Sequence, residues 1–264
     1  KEVLSVCAYN HYKRIYYSQE DVKIEKSNVI MLGATGTGKT LLASTLAEYL
    51  NVPFTIADAT TLTEAGYVGE DVESVIERLL DACDWNIELA QKGIVFIDEI
   101  DKKARSGESN ANTKDISGEG VQQALLRLIE GTSIKVHNGS SKRNFDTLNF
   151  DTSNVLFICS GAFVGIDKKV TARVKNKKGV GFNAELQNKK EKTQWQDHVS
   201  HDDLISYGLI PELIGRLPNL ITLEDLTEED MEKILLNSKA SILPQVKQLL
   251  EYDDIELTFE KQYI

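Results

Sequence analysis

The residues Gly33-Ala34-Thr35-Gly36-Thr37-Gly38-Lys39-Thr40 keep the spacing G-x-x-x-x-G-K-[ST], and they stand between an apolar run, Val29 to Leu32, and a helical pattern, Leu41 to Leu50. Strand, glycine-rich loop and helix in that order make a cradle for phosphate. The glycines let successive backbone N–H groups turn toward one point, the helix adds its positive end, and a lysine brings a full charge to the β and γ phosphates. The residues expected to hold a nucleotide are therefore Thr35, Gly36, Thr37, Gly38, Lys39, Thr40 and Leu41, with the Thr40 hydroxyl on Mg²⁺. A dinucleotide fingerprint is excluded, because G-x-G-x-x-G would need glycine where Thr35 stands.

Downstream, Pro53 to Asp58 reads as a second strand, which completes a βαβ unit. The run Ile94-Val95-Phe96-Ile97-Asp98-Glu99 is a buried strand ending in two acids. Beside a phosphate loop these acids divide the work: Asp98 holds the Mg²⁺ shell, and Glu99 orients and deprotonates the attacking water. The two motifs together predict hydrolysis of a nucleoside triphosphate. Val155 to Cys159 is a continuous apolar run of the kind found in a parallel strand buried on both faces. Ser160, just past it, is a candidate sensor of the γ-phosphate. The fold class is α/β with a parallel sheet.

Helices are expected over residues 2 to 17, from Gly69 through Ile87, where apolar side chains recur at i, i+3, i+4 and i+7, and from Ser117 to Gly131. Residues 101 to 120 and 137 to 149 read as loose polar segments, and Lys168 to Lys192 as a surface insertion. Ile221 closes a large domain, residues 1–223. Thr227 with Asp230 resembles a capping box, Pro244 suits the first turn of a further helix, and Ile255 to Phe259 reads as a strand, so 224–264 is the start of a small, mainly helical domain. The chain begins and ends inside regular patterns, as a fragment would.

With 264 residues, 41% of them hydrophobic, the chain has enough apolar material for a real core. A net charge of -11 argues against a long footprint on nucleic acid, which needs clustered Lys and Arg. The three cysteines, Cys7, Cys83 and Cys159, form no C-x-x-C pair, so neither a zinc site nor a disulfide framework is expected. There is no apolar stretch near the roughly 18 residues of a membrane span. A cytoplasmic setting, in a bacterial cytosol or an organelle matrix, is the expectation.

Five tracts carry a resemblance: Tyr9 to Arg14, Asp58 to Glu73, Gly93 to Asp101, Ser117 to Leu126 and Gly208 to Pro218. Together they are similar to the ClpX family of AAA+ protein unfoldases, over nearly the whole chain. The tracts around Tyr67 and before Arg216 are the specific ones; HslU, the nearest relative of that family, departs from both. The resemblance implies an αβα AAA+ sandwich, ATP and Mg²⁺ as cofactors, and a homo-hexameric ring. It implies that Tyr67 and Val68 line the axial channel and grip unfolded or tagged protein substrates. Arg216 becomes the finger that reaches the neighbouring subunit's ATP, and Val180-Gly181-Phe182 the tripeptide that docks on the ClpP peptidase. The chain departs from the family at Ser141-Lys142-Arg143-Asn144, a segment shorter than the usual basic loop and without its His. The family's N-terminal zinc-binding domain has no counterpart in the sequence. Two other readings remain open at this stage: a nucleic-acid motor or loader of the same superfamily, and a nucleotide-gated binding scaffold with little turnover.

Overall fold

The computed structural model describes residues 1–17, 24–64, 69–105, 118–137, 147–178, 195–238 and 241–258. The chain divides into two compact units, Lys1–Leu223 and Glu224–Ile264. The first is built on five parallel strands, β1 (Val29–Leu32), β2 (Phe54–Asp58), β3 (Ile94–Asp98), β4 (Leu156–Gly161) and β5 (Asn219–Thr222), in the spatial order β2-β3-β4-β1-β5. Every residue of β1 and β4 is buried, which is why those strands read as unbroken apolar runs.

The alternation along each strand sends side chains to two separate cores. Met31, Phe96 and Ile158 pack with Leu4 and Ala8 of α1 (Glu2–Tyr16) and with Ala43 and Ala47 of α2 (Lys39–Leu50). Ile30, Val95, Ile97 and Phe157 face the opposite way, onto Val75, Ile76 and Leu79 of α3 (Ser74–Asp81) and Leu125 and Leu128 of α4 (Gly118–Glu130). Helices therefore cover both faces of the sheet in an αβα sandwich. Full burial of side chains this size contributes about 1.5–3 kcal/mol each, so the two cores fix the strands to which the loops below are attached.

Four expectations are corrected. The helix after Gly69 stops at Asp81, because Asp84 (φ 52°) and Trp85 (φ 60°) adopt left-handed backbone. The Asn86 side chain then caps a separate turn, Ile87–Ala90, by accepting the Leu89 N–H. The apolar spacing carried on past the break because Cys83 and Ile87 still rest on the same core. Part of the segment expected to be loose is an antiparallel hairpin, Ser133–His137 with Thr147–Asp151, and it buries Val136 and Phe150. The supposed insertion begins with a helix, α5 (Ile166–Lys178). Residues 255–258 form no strand, for no ladder partner lies beside them among the described residues. In the second unit the Thr227–Asp230 capping box is present and opens a helix, Glu228–Asn237, and Ser241 caps the next, Ile242–Glu251. None of the helices among the described residues is long and apolar enough to cross a membrane.

Helix α1 is held by polar bonds to the turn before β4. The His11 Nε2–H donates to the Asn154 carbonyl at 2.9 Å and Arg14 Nη2 to the Ser153 carbonyl at 2.9 Å; Lys26, in the segment before β1, donates to the Thr152 carbonyl of the same turn at 3.0 Å. His11 is fully buried. Its pKa falls to about 3, chiefly through burial; the Asn154 bond opposes the shift, and the charges on Arg14 and Lys26 add to it. A base whose folded pKa is depressed stays neutral while the unfolded chain takes up a proton near pH 6.5. His11 therefore lowers stability as pH falls from 6.5 toward 3, by about 1.4 kcal/mol per unit, and contributes no slope above that window. Denaturant titrations of His11→Gln, which can still donate to Asn154, are expected to show a shallower loss between pH 6.5 and 4.5. An unchanged slope would contradict this assignment.

Candidate functional site

The phosphate loop leaves the C-terminal end of β1, the strand at which chain connections switch sides of the sheet, where open parallel sheets form a crevice. Gly36 and Gly38 both lie at φ +86°, a conformation that costs any other common residue steric energy, and Gly38 caps α2 directly. Within the loop the Thr37 hydroxyl donates to the Ala34 carbonyl at 2.8 Å. Lys39 Nζ donates to the carbonyls of Gly33 at 2.7 Å and Ala34 at 3.0 Å, so the lysine closes the loop on itself. Burial pulls the Lys39 ammonium below its ordinary pKa, and the acids Asp98, Asp101 and Glu99 push it back in that order.

Strand β3 brings its acids to the same crevice. Asp98 Oδ2 lies 3.5 Å from the Thr40 hydroxyl, and Asp98 Oδ1 accepts from the Ser160 hydroxyl and from the Glu99 N–H, both at 2.9 Å. Ser160 comes from the end of β4, so three adjacent strands converge on one carboxylate. Glu99 is exposed and sits at φ 56°, left-handed backbone that costs a non-glycine residue about 1–3 kcal/mol. The turn that follows, Ile100–Lys103, packs under it with Ile100 buried.

Of the residues expected to hold a nucleotide, Thr35, Gly36, Gly38, Lys39, Thr40 and Leu41 line a cleft of about 410 Å³ together with Asp98 and Glu99. Thr37 lies outside that lining and serves the loop's own geometry. Sequence reasoning missed Asp101, Lys102, Ala162 and Val164, which also border the cleft. Asp101 is buried, and its Oδ2 accepts the Phe163 N–H at 3.2 Å. Its Oδ1 carries no hydrogen bond among the described residues. The close approach at this point needs glycine on β4, because a Cβ on Gly161 would stand 2.6 Å from Asp101 Oδ1. The only available signal was an acid three residues after Asp98 in a turn.

Arg216 is not in this cleft. It follows the short helix α7 (Pro211–Gly215; α6 is His201–Tyr207), just before β5 begins. It borders a separate cavity of about 200 Å³ with Arg14, Lys26, Asn28, Glu130 and Ser153, at the N-terminal edge of the strands. In a parallel sheet that edge is opposite the one bearing the phosphate loop. Tyr67 and Val68, like Val180, Gly181 and Phe182 and the segment Ser141 to Asn144, lie outside the described residues.

The residues present suit a nucleotide with a divalent cation: a buried lysine, a threonine hydroxyl facing a carboxylate, and backbone N–H groups freed by two left-handed glycines meet in one cleft.

The family model described as AAA domain (Cdc48 subfamily) matches residues 24–220. Among similar curated proteins, the ATP-dependent Clp protease ATP-binding subunit ClpX of Treponema denticola is 54% identical over 270 residues, covering 100% of this chain and 65% of the relative. The proteins of the same name from Bacteroides fragilis and Bacteroides thetaiotaomicron are 51% and 52% identical, over 99% and 98% of this chain and 64% of each relative. The chain thus spans a little under two thirds of the length of the relatives it matches.

Proposed function

This chain belongs to the AAA domain family, Cdc48 subfamily, and from that premise we propose that it is the motor portion of a ClpX-like unfoldase, hydrolysing ATP to pull protein substrates toward a Clp peptidase. One observation carries the reading: Lys39, Thr40, Asp98 and Glu99 meet in a single cleft, with buried Ser160 bonded to Asp98 behind it, while Arg216 stands at the other edge of the same sheet. A site divided in this way is completed when the Arg216 edge of one copy faces the cleft edge of the next, which is the arrangement of a ring.

In the proposed reaction the loop N–H groups and Lys39 bind and orient the phosphates, and the strained Glu99 backbone holds its carboxylate out over the cleft to take a proton from the attacking water. Ser160 and the Glu99 N–H fix the Asp98 carboxylate in place. Thr40 and Asp98 would hold Mg²⁺, which neutralises charge on the β and γ phosphate oxygens when bound. Arg216 adds a guanidinium to the phosphoryl group held by the neighbouring subunit.

The wider roles follow from likeness to relatives whose name describes an ATP-binding subunit of the Clp protease. They are a homo-hexamer, unfolded or tagged polypeptides gripped by Tyr67 and Val68, a ClpP-type peptidase engaged through Val180-Gly181-Phe182, and a cytoplasmic setting. The net charge of -11 supports a protein client over nucleic acid. Tyr67→Ala in the full-length protein is expected to keep hydrolysing ATP while degradation of a tagged, folded client with the peptidase falls to a small fraction of the wild-type rate. Degradation at the wild-type rate would contradict the gripping role.

A further inference from the structure

Arg216 is held in two ways that its proximity to β5 does not require. Its carbonyl accepts from Asn28 Nδ2 at 3.1 Å, and the same amide donates to the Ile129 carbonyl at 3.3 Å. Asn28 is buried, so this amide ties the last turn of α4 to the segment carrying Arg216. The next residue, Glu130, ends α4, and its Oε1 accepts from Arg216 Nε at 2.9 Å. Backbone and side chain of the arginine are thus both referred to the end of one helix.

Two features argue that this pair serves orientation. A carboxylate at a helix C-terminus is unfavourable, because it meets the negative end of the dipole, so Glu130 is at odds with its local setting. The bond also uses Nε, and the two terminal nitrogens of Arg216 carry no hydrogen bond among the described residues. A guanidinium gripped at Nε has a fixed plane and keeps its outer donor pair for an anion. Arg14 and Lys26 border the same cavity as Arg216, together with the acids Glu25 and Glu130.

We infer that Glu130 is a positioning residue that sets the plane of the Arg216 guanidinium toward the neighbouring subunit's nucleotide. The inference rests on the proposed role of Arg216 and goes one residue further. Glu130 acts through the arginine.

The test is a double-mutant cycle on ATP turnover by the full-length protein, with fluorescent ADP binding as the second readout. Glu130→Ala, which removes the acceptor of the Arg216 Nε–H, is expected to lower kcat between about 10- and 100-fold, as loss of alignment does, with ADP affinity unchanged. In an Arg216→Lys background, where no planar fork remains to be aligned, the same change is expected to cost less than about 2-fold. Wild-type turnover by Glu130→Ala, with Arg216→Ala inactive, would overturn the inference and leave the arginine's role standing. An equal loss in both backgrounds would also overturn it, because Glu130 would then act elsewhere. Wild-type turnover by Arg216→Ala would remove the role of the arginine itself, and the inference with it.

Discussion

Arg216→Ala is expected to reduce ATP turnover of the assembled protein by about 10³–10⁵-fold, the range for a guanidinium that stabilises charge on a transferring phosphoryl group. Loss of folding would not explain such a drop. The Arg216 side chain is half exposed and its ion pair with Glu130 lies at the surface, so breaking that pair costs about 0–1 kcal/mol. Nor would loss of the subunit's own binding site, since the arginine borders the cavity at the far edge of the sheet, away from the phosphate loop. Nucleotide affinity and thermal stability should therefore stay near wild type while phosphate release collapses. A variant releasing phosphate at the normal rate would show that hydrolysis is completed inside one subunit.

Glu99→Gln is expected to bind ATP normally and to hydrolyse it about 10²–10⁴-fold more slowly, the contribution of a positioned general base. The substitution keeps the shape of the side chain and the backbone bond from residue 99 to Asp98 Oδ1, so the cleft is preserved. It removes only the ability to accept a proton. Phosphate-release kinetics beside fluorescent nucleotide binding check both halves of the statement. Normal turnover would move the base elsewhere in the cleft, and Asp101, buried with one oxygen unpaired among the described residues, would be the first alternative.

Much of this site was legible in the chain because its chemistry constrains local sequence. A phosphate loop needs glycine where φ is positive and a lysine at a fixed offset, and a strand buried on both faces has to be apolar throughout. What escaped notice depends on what the fold places opposite. Asp101 acquires its place at the cleft from the Phe163 N–H and the bare Cα of Gly161, residues some sixty positions away by the numbering. The break at Asp84 and Trp85 was hidden because side chains on either side of it still reach one core, and periodicity records burial without recording φ. The hairpin was obscured by polar residues such as Lys135 and Asn149, which alternate with the buried ones. That Arg216 lies across the sheet from the cleft is a matter of strand direction and order, which no short motif encodes.

The claim on which the others depend is that each nucleotide is hydrolysed by Glu99 of one subunit and Arg216 of the next. Steady-state ATP turnover of mixed assemblies tests it directly. Glu99→Gln and Arg216→Ala are each expected to be inactive alone, yet to regain turnover when combined, since some boundaries then pair an intact glutamate with an intact arginine. A mixture as inactive as its components, with co-assembly demonstrated, would contradict the account.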